Sequence, residues 1–353
     1  MLKERPTKTA TVSAVCIAVG LLGLISGCAS PKNLHELASK KNLNFGVAIQ
    51  AGDVLSLETS ALLKEHFNLI VPENTMKWKN IRPTKTFWNW SDMDNMVDFA
   101  EKNGMVIRGH TFVWHQQNAP YVDSLKTKDE AVAMLTEQIT MVMERYKGRV
   151  FEYDVANEVL NEDGTLRDTV WLRTIGPEYI DIAFKAARAA DPKARLVLND
   201  YSNEYAGTAK GDAFYELCKD MKNRGIPIDG AGLQLHLVAE HTFNREGLLA
   251  QIRRFAELGM FVTFTEIDVR IAMPSSPEKE AQQTEIFKGL MEIAATEPNT
   301  GHFVVWGYTD AKSWIPGTFP GYGSAHLFDK ASQPKPVFED LKKILADSPK
   351  RKK

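Results

Sequence analysis

The stretch Val150-Phe-Glu-Tyr-Asp-Val-Ala-Asn-Glu158 decides how this 353-residue chain is read. It has the length and apolar content of a buried strand. Alternation puts Phe151, Tyr153 and Val155 on one face and Glu152, Asp154, Ala156 and Glu158 on the other. Carboxylates on the inner side of a core strand are costly unless they are paired or catalytic. A second stretch, Phe261-Val-Thr-Phe-Thr-Glu-Ile-Asp-Val269, ends the same way, with Glu266 and Asp268 on one face. Two strands that each deliver a glutamate to the C-terminal tip predict a carboxylate pair at a cleft, the arrangement that glycoside hydrolysis needs.

Working outward, strand-like runs alternate with helix-like segments. The strands read as 43–49, 67–71, 106–114, 150–156, 195–198, 231–236, 261–267 and 303–306. Helical patterns lie between them, for example at 93–102, 128–146, 177–190 and 247–258. Eight such alternations predict an α/β fold, a single (β/α)₈ TIM barrel over residues 29–345. A doubly wound open sheet is the alternative, but it usually carries a glycine-rich first turn, which this chain lacks.

Residues 1–28 read as an export signal. Lys3, Arg5 and Lys8 precede an apolar run from Ala10 to Ile25, too short for a comfortable membrane-spanning helix. The run ends in Leu24-Ile-Ser-Gly-Cys28, which resembles a lipobox. Lipidation of Cys28 is therefore expected, making an exported, membrane-anchored lipoprotein at the cell surface or in the periplasm, with a soluble catalytic domain. Beyond Cys28 the chain has 40 basic and 44 acidic residues. No basic patch suggests nucleic acid, and a neutral or lightly charged substrate fits better. Cys218 is then the remaining cysteine, so neither an intramolecular disulfide nor a cysteine-based metal site is expected. Its spacing from Phe214, Leu217 and Met221 places it in a helix facing the core. Residues 346–353 read as a disordered basic tail, and the chain as a monomer.

Chemistry in such a barrel gathers at the C-terminal strand ends. Strand two ends in Glu73-Asn-Thr-Met-Lys-Trp78. Strand three carries Arg108, His110, Phe112 and Trp114 on one face, followed by His115 and Gln116. Strand five ends in Asn199-Asp-Tyr201. Strand six has Gln234 and His236 above Gly230 and Gly232, and Trp306 and Trp314 follow strand eight. Singly, His110 or His236 reads as a hydrogen-bonded core histidine, Trp306 as core, and Asp268 as a partner for Arg270 or an orienting group. Together they describe a site. Tryptophans among Asn, Gln, His and Lys suit a sugar, which offers C–H faces to rings and hydroxyls to planar polar groups.

These pieces resemble glycoside hydrolase family 10, the endo-β-1,4-xylanases, over nearly all of residues 34–345. The matching segments are Pro72-Glu-Asn-Thr-Met-Lys-Trp78, Arg108-Gly-His-Thr-Phe-Val-Trp-His115, Tyr153-Asp-Val-Ala-Asn-Glu158, Leu198-Asn-Asp-Tyr201, Gly232-Leu-Gln-Leu-His236, Thr265-Glu-Ile-Asp268, Val305-Trp-Gly-Tyr-Thr-Asp310 and Leu327-Phe-Asp329. The resemblance implies retaining hydrolysis of xylan or xylo-oligosaccharides. Glu266 would be the nucleophile and Glu158 the general acid/base, with carboxyl groups about 5–5.5 Å apart. Glu266 would stay ionised, helped by His236, and Glu158 would have a raised pKa. Asn157 would bond the 2-hydroxyl of the sugar just before the cleaved bond. His110, Lys77, Gln234 and Trp114 would line that subsite, Glu73 and Asn74 would hold the next sugar, Trp306 and Trp314 would close over both, and Tyr201 would stack on the leaving-group side. Asp268 would play a supporting part. No cofactor or metal is called for.

Two segments depart from the family pattern. Gln116-Gln-Asn-Ala-Pro-Tyr121 has Pro displaced by one and Tyr where Trp is usual. Ile315-Pro316 follows Trp314 where arginine is usual. Three rival readings remain open: a metal-dependent hydrolase using His110, His115, His236, Glu266 and Asp268, a lipid-anchored oligosaccharide-capture protein, and a β-1,4-glucanase.

Overall fold

The computed structural model describes Met1 and residues 33–351. Most of the expected signal segment, Cys28 included, and the last two lysines lie outside the described residues. Eight parallel strands form the barrel: β1 Asn44–Ile49, β2 Leu69–Pro72, β3 Val106–Val113, β4 Glu152–Asn157, β5 Arg195–Asp200, β6 Gly230–Leu233, β7 Phe261–Ala272 and β8 Thr300–Val305. Each pairs with the next, and β8 returns to β1 through Asn44–His302 to Val47–Val305, so the sheet closes without an edge. Strand positions follow the sequence reading to within three residues at most ends. β7 differs. It runs to Ala272 because its upper part gains partners of its own, His236–Val238 on one side and Tyr322–Gly323 on the other.

The helices form where apolar residues recur at helical spacing behind a capping side chain. Lys128–Arg145 is the plainest case. Thr127 accepts from the Glu130 amide, and Ala131, Leu135, Ile139, Val142 and Met143 are buried in a stripe against the sheet. Ser56, Thr169, Thr208, Asn244 and Ser276 cap other helices in the same way. Cys218 is a buried free thiol on such a stripe, and burial pushes its pKa up. The last helix, Pro336–Asp347, extends two residues past Leu345. Beyond it, Arg351 donates to the Ala294 and Pro298 carbonyls.

The barrel interior is divided. Ala48, Leu69, Val71, Val304 and Trp306 make a small apolar cluster on one side. Arg108, Glu152, Asp154 and His302, all buried, make a polar cluster beside them, with His302 two residues before Val304 on β8. The strand carboxylates that sequence reasoning required to be paired or catalytic are paired. Arg108 Nε donates to Glu152 at 2.7 Å, Arg108 also bonds Asp154, and Glu152 meets His302 Nε2 at 3.2 Å. The β4 ladder slips between Asp154 and Ala156. Past that slip the chain rises to the barrel mouth, with Asn157 last in the strand and Glu158 just beyond it.

Candidate active site

Glu158 stands at φ 53°, a left-handed conformation uncommon for a residue with a side chain. Its amide still donates to the Asn199 carbonyl at 2.9 Å, so the turn is tied to the tip of β5. Gln234 Nε2 and Asn157 Nδ2 each donate to its Oε1 at 3.3 Å, and His115 Nδ1 lies 3.5 Å from Oε2. Burial lowers the His115 pKa against the pull of Glu158, which keeps that ring towards its neutral form.

Glu266 lies on the adjoining wall, near the middle of β7, and is almost fully buried. Asn199 Nδ2 donates to its Oε1 at 2.7 Å, His236 Nε2 is 3.3 Å from Oε2, and His110 Nδ1 is 3.9 Å away. Burial alone would raise its pKa. His236, His110 and Lys77 outweigh that, and the net effect holds Glu266 below the usual glutamate range. His236 is itself buried, which disfavours its cation. Asp268, bonded to Nδ1 at 2.8 Å, and Glu266 reverse this and bring its pKa up to about 10. His236 is therefore an imidazolium at neutral pH, braced between two carboxylates.

The two glutamates are joined by amides. Asn157 Oδ1 accepts from Asn199 at 2.8 Å and from Gln234 at 3.2 Å. Asn199 also holds Glu266, and Gln234 also holds Glu158. Four strands thus meet in one network at the barrel mouth. β6 stops at Leu233 and Leu235 takes φ 63°. Gln234 and His236, on either side of Leu235, both line the cleft.

A cleft of about 680 Å³ contains both glutamates, and every other site residue expected from sequence except Asp268 lines it. Lys77 Nζ lies 4.4 Å from the Trp114 ring centre and donates to Asn74 Oδ1 at 3.2 Å. Burial lowers its pKa against Glu266, Glu73 and Glu158, and burial raises that of Glu73. Trp306 meets the His110 ring edge-on at 5.0 Å. Trp314 meets His236 at 4.9 Å and donates its indole N–H to Asp268 at 2.9 Å. Asp268 therefore sits behind the wall and orients both His236 and Trp314. It has no ion pair with Arg270 among the described residues. Tyr201 is held from below, with Arg167 donating to its hydroxyl at 2.7 Å and Lys210 lying 3.4 Å from its ring centre.

Sequence reasoning passed over several groups. Asn199 bridges the two halves of the network, and its place at a strand tip beside Asp200 and Tyr201 was the available signal. Arg167, Gln117 and Phe319 also line the cleft, but they come from loops without periodicity, so nothing in their spacing marked them. The altered segment 116–121 begins in the cleft, which Gln116 and Gln117 line. Tyr121 donates to the Arg82 carbonyl at 2.9 Å and packs edge-on against Trp78. Gln117 reaches Asn74 at 3.0 Å. In the other altered segment Ile315 is fully buried. His110, Asp154 and Glu266 bring donor atoms within 4.8 Å of one another. A cation there would compete with Arg108, already bonded to Asp154.

The model of glycosyl hydrolase family 10 matches residues 33–344. The chain is 35% identical over 343 residues to endo-1,4-beta-xylanase B of Thermotoga neapolitana, covering 94% of this chain and 98% of that protein. It is 36% identical over 316 residues to endo-1,4-beta-xylanase C of Phanerodontia chrysosporium, covering 88% and 79%. Among solved structures, native xylanase 10B from Thermotoga maritima superposes with a TM-score of 0.86 at 38% identity, over 89% of this chain and 98% of that one. Xylanase 10B from Thermotoga petrophila RKU-1 in complex with xylobiose gives 0.86 at 38% identity, over 89% and 97%.

Proposed function

The chain belongs to glycosyl hydrolase family 10, and from that premise we propose how its residues divide the labour of an endo-β-1,4-xylanase. It hydrolyses internal β-1,4-xylosidic bonds by double displacement with retention of configuration. Glu266, kept anionic by His236 and Asn199, attacks the anomeric carbon. Glu158 gives its proton to the departing glycosidic oxygen. In the second half Glu158 takes a proton from the water that attacks the glycosyl-enzyme, and Glu266 leaves as the free carboxylate. The observation that carries this division is the contrast between the two sites. Glu266 is buried among cationic and amide donors, whereas Glu158 is the more exposed, at the lip of the same cleft.

The sugar contacts follow from placement. Asn157, fixed at Oδ1 by two amides and giving one N–H to Glu158, turns its other N–H towards the sugar before the cleaved bond and bonds the 2-hydroxyl. His110, Lys77, Gln234 and Trp114 line that subsite. Glu73 and Asn74 hold the next sugar, Trp306 and Trp314 cover both and disfavour a hydroxymethyl arm, and Tyr201 supports the leaving side. Xylan or its soluble oligosaccharides are the substrate.

The test is reducing-sugar release from soluble xylan by residues 29–353, with Glu158→Ala and Glu266→Ala alongside, all after exhaustive chelation. Wild type should cleave. Glu158→Ala should lose roughly 10²–10⁴-fold, and azide should rescue it as a β-glycosyl azide. Full activity in Glu266→Ala, or loss that added zinc restores, would sink the assignment.

Export with lipidation at Cys28, and a monomeric state, complete the reading. Export and lipidation are supported by the order of charges, apolar run and Leu-Ile-Ser-Gly-Cys at the N-terminus. Labelled fatty acid should enter the full chain and not Cys28→Ala, and the enzyme should elute as a monomer. Equal labelling of both would refute the anchor.

A further inference from the structure

The barrel floor, opposite the cleft, carries a charge that the hydrolytic reaction does not use. The loops leading into the strands and the helix ends feeding them bring Lys40, Lys41, Lys102, Lys147, Lys193 and Lys222 to this end. None of the six has an ion pair among the described residues. Lys41 and Lys147 bond only backbone carbonyls there, of Ser348 and Ala190, which leaves their charge unbalanced. The floor's acids are partly spent: Asp98 and Glu101 on Arg149, Asp229 on Arg188, and Glu297 on Arg253. Glu65, Glu144, Glu257 and Asp347 are exposed exceptions without an ion pair among the described residues, and buried Asp191 accepts only from the Gly148 and Lys193 amides. The six lysines, with Lys350 and Arg351 beside them, outnumber these acids, whereas the chain as a whole is net −2.

The first and last helices of the barrel domain lead to the same face. The first helix, Leu34–Lys40, leads into the floor end of β1, and Lys41 reaches Ser348 after the last helix. The chain continues from there as Lys350-Arg-Lys-Lys353. Only four residues lie between Cys28 and Asn33, a span of at most about 20 Å when extended. A lipid on Cys28 would hold this face, and no other, within reach of a bilayer.

We propose that the basic floor is a docking surface for the anionic phosphate headgroups of a lipid bilayer, so that the enzyme lies floor-down with its cleft facing away. The placement of the cleft above this face rests on the barrel itself, and the tether on the lipoprotein reading given above. Charge complementarity carries the contact. Each lysine near an anionic surface adds attraction that fades within a Debye length. One consequence is that a chain anchored this way presents its catalytic mouth to arriving polysaccharide rather than to the membrane.

The test uses residues 29–353 with Cys28 absent, so that no lipid contributes. The fold begins at Asn33 and closes on itself, and xylan hydrolysis in the same sample reports correct folding. Cosedimentation is measured with vesicles of phosphatidylglycerol and phosphatidylcholine, and with phosphatidylcholine alone, at low and high salt. A variant combining Lys40→Gln, Lys102→Gln, Lys193→Gln and Lys222→Gln is run beside it. The expected result is binding to the anionic vesicles only, abolished by high salt, and weakened at least about a hundredfold in the variant. Xylan hydrolysis by the variant should be unchanged. Cleavage of xylan without vesicle binding, binding to neutral vesicles as well, or an unaffected variant would each overturn the docking surface and leave the hydrolase reading standing. Failure to cleave xylan with vesicle binding intact would do the reverse.

Discussion

Glu266 is kept ionised by neighbours rather than by water, and His236 is the neighbour that matters most. A carboxylate whose pKa is depressed in the folded enzyme keeps its favourable contacts above that value and loses them as pH falls through it. Removing the imidazolium should raise the Glu266 pKa. In His236→Asn the acid limb of kcat/KM should therefore move to higher pH, while the variant stays folded. On the alkaline side the wild-type imidazolium persists until pH nears about 10, so its charge is constant through neutrality. A pH profile of both proteins on soluble xylan checks this. An acid limb that does not move would mean that Asn199 and Lys77 suffice.

At the scale of elements, the site depends on how closely two strands can approach. A Cβ added to Gly232 in β6 would lie 2.2 Å from Asn199 Oδ1 on β5. Asn199 is the link between Asn157 and Glu266, and the helix-and-strand scaffold around it is tightly packed. Gly232→Ala should therefore displace Asn199 and lower kcat by tenfold or more, on the order of the penalty for small misplacements of catalytic groups. Its denaturant midpoint should fall as well, and the separate effects on kcat and KM decide the case. A loss confined to KM would show that Asn199 serves binding alone. The same two strands explain part of what the sequence made visible. The tips of β4 and β5 could be located to within two residues because alternation and apolar content mark strands, whereas β7 runs on past the expected end at 267 to Ala272. The break after Leu233 could not, since a residue at positive φ leaves no reliable trace in composition.

For the whole molecule, the barrel interior is held partly by charge. Arg108 on β3 bonds both Glu152 and Asp154 on β4, and Glu152 reaches His302 on β8. Burial would raise the Glu152 pKa, but His302, Arg108 and Arg195 bring it down to about 2. That stabilisation is present above the ordinary carboxylate range and is lost only as pH falls towards about 2. Arg108→Gln strands two carboxylates in the interior, and breaking a buried pair this way costs about 3–5 kcal/mol. Urea unfolding at neutral pH should register that loss, and the variant should unfold at higher pH than wild type on acidification. Equal stability would mean that solvent or His302 fully compensates.

The sequence by itself determined that this chain is an eight-fold alternation of strand and helix, and that two glutamates belong to separate strands, though Glu266 lies mid-strand rather than at the expected tip. Period-two and period-3.6 patterns depend on local chain geometry, so they survive in one dimension. The carboxylate-rich face of 150–158 likewise announced its chemistry, because buried charge needs a reason. Only the tertiary structure decided which carboxylates spend themselves on packing and which face substrate. Glu152 and Asp154 share Arg108, 44 and 46 residues away, and each has a further partner in Arg195 or His110. Asp268 gives one oxygen, Oδ2, to both His236 and Trp314 and forms no ion pair with Arg270 among the described residues. The electrostatic environment of Glu266 is likewise assembled from β3, β5 and the residues that follow β2 and β6. Hydrogen bonds and Coulomb forces act through space between residues far apart in the chain, and no local pattern records them.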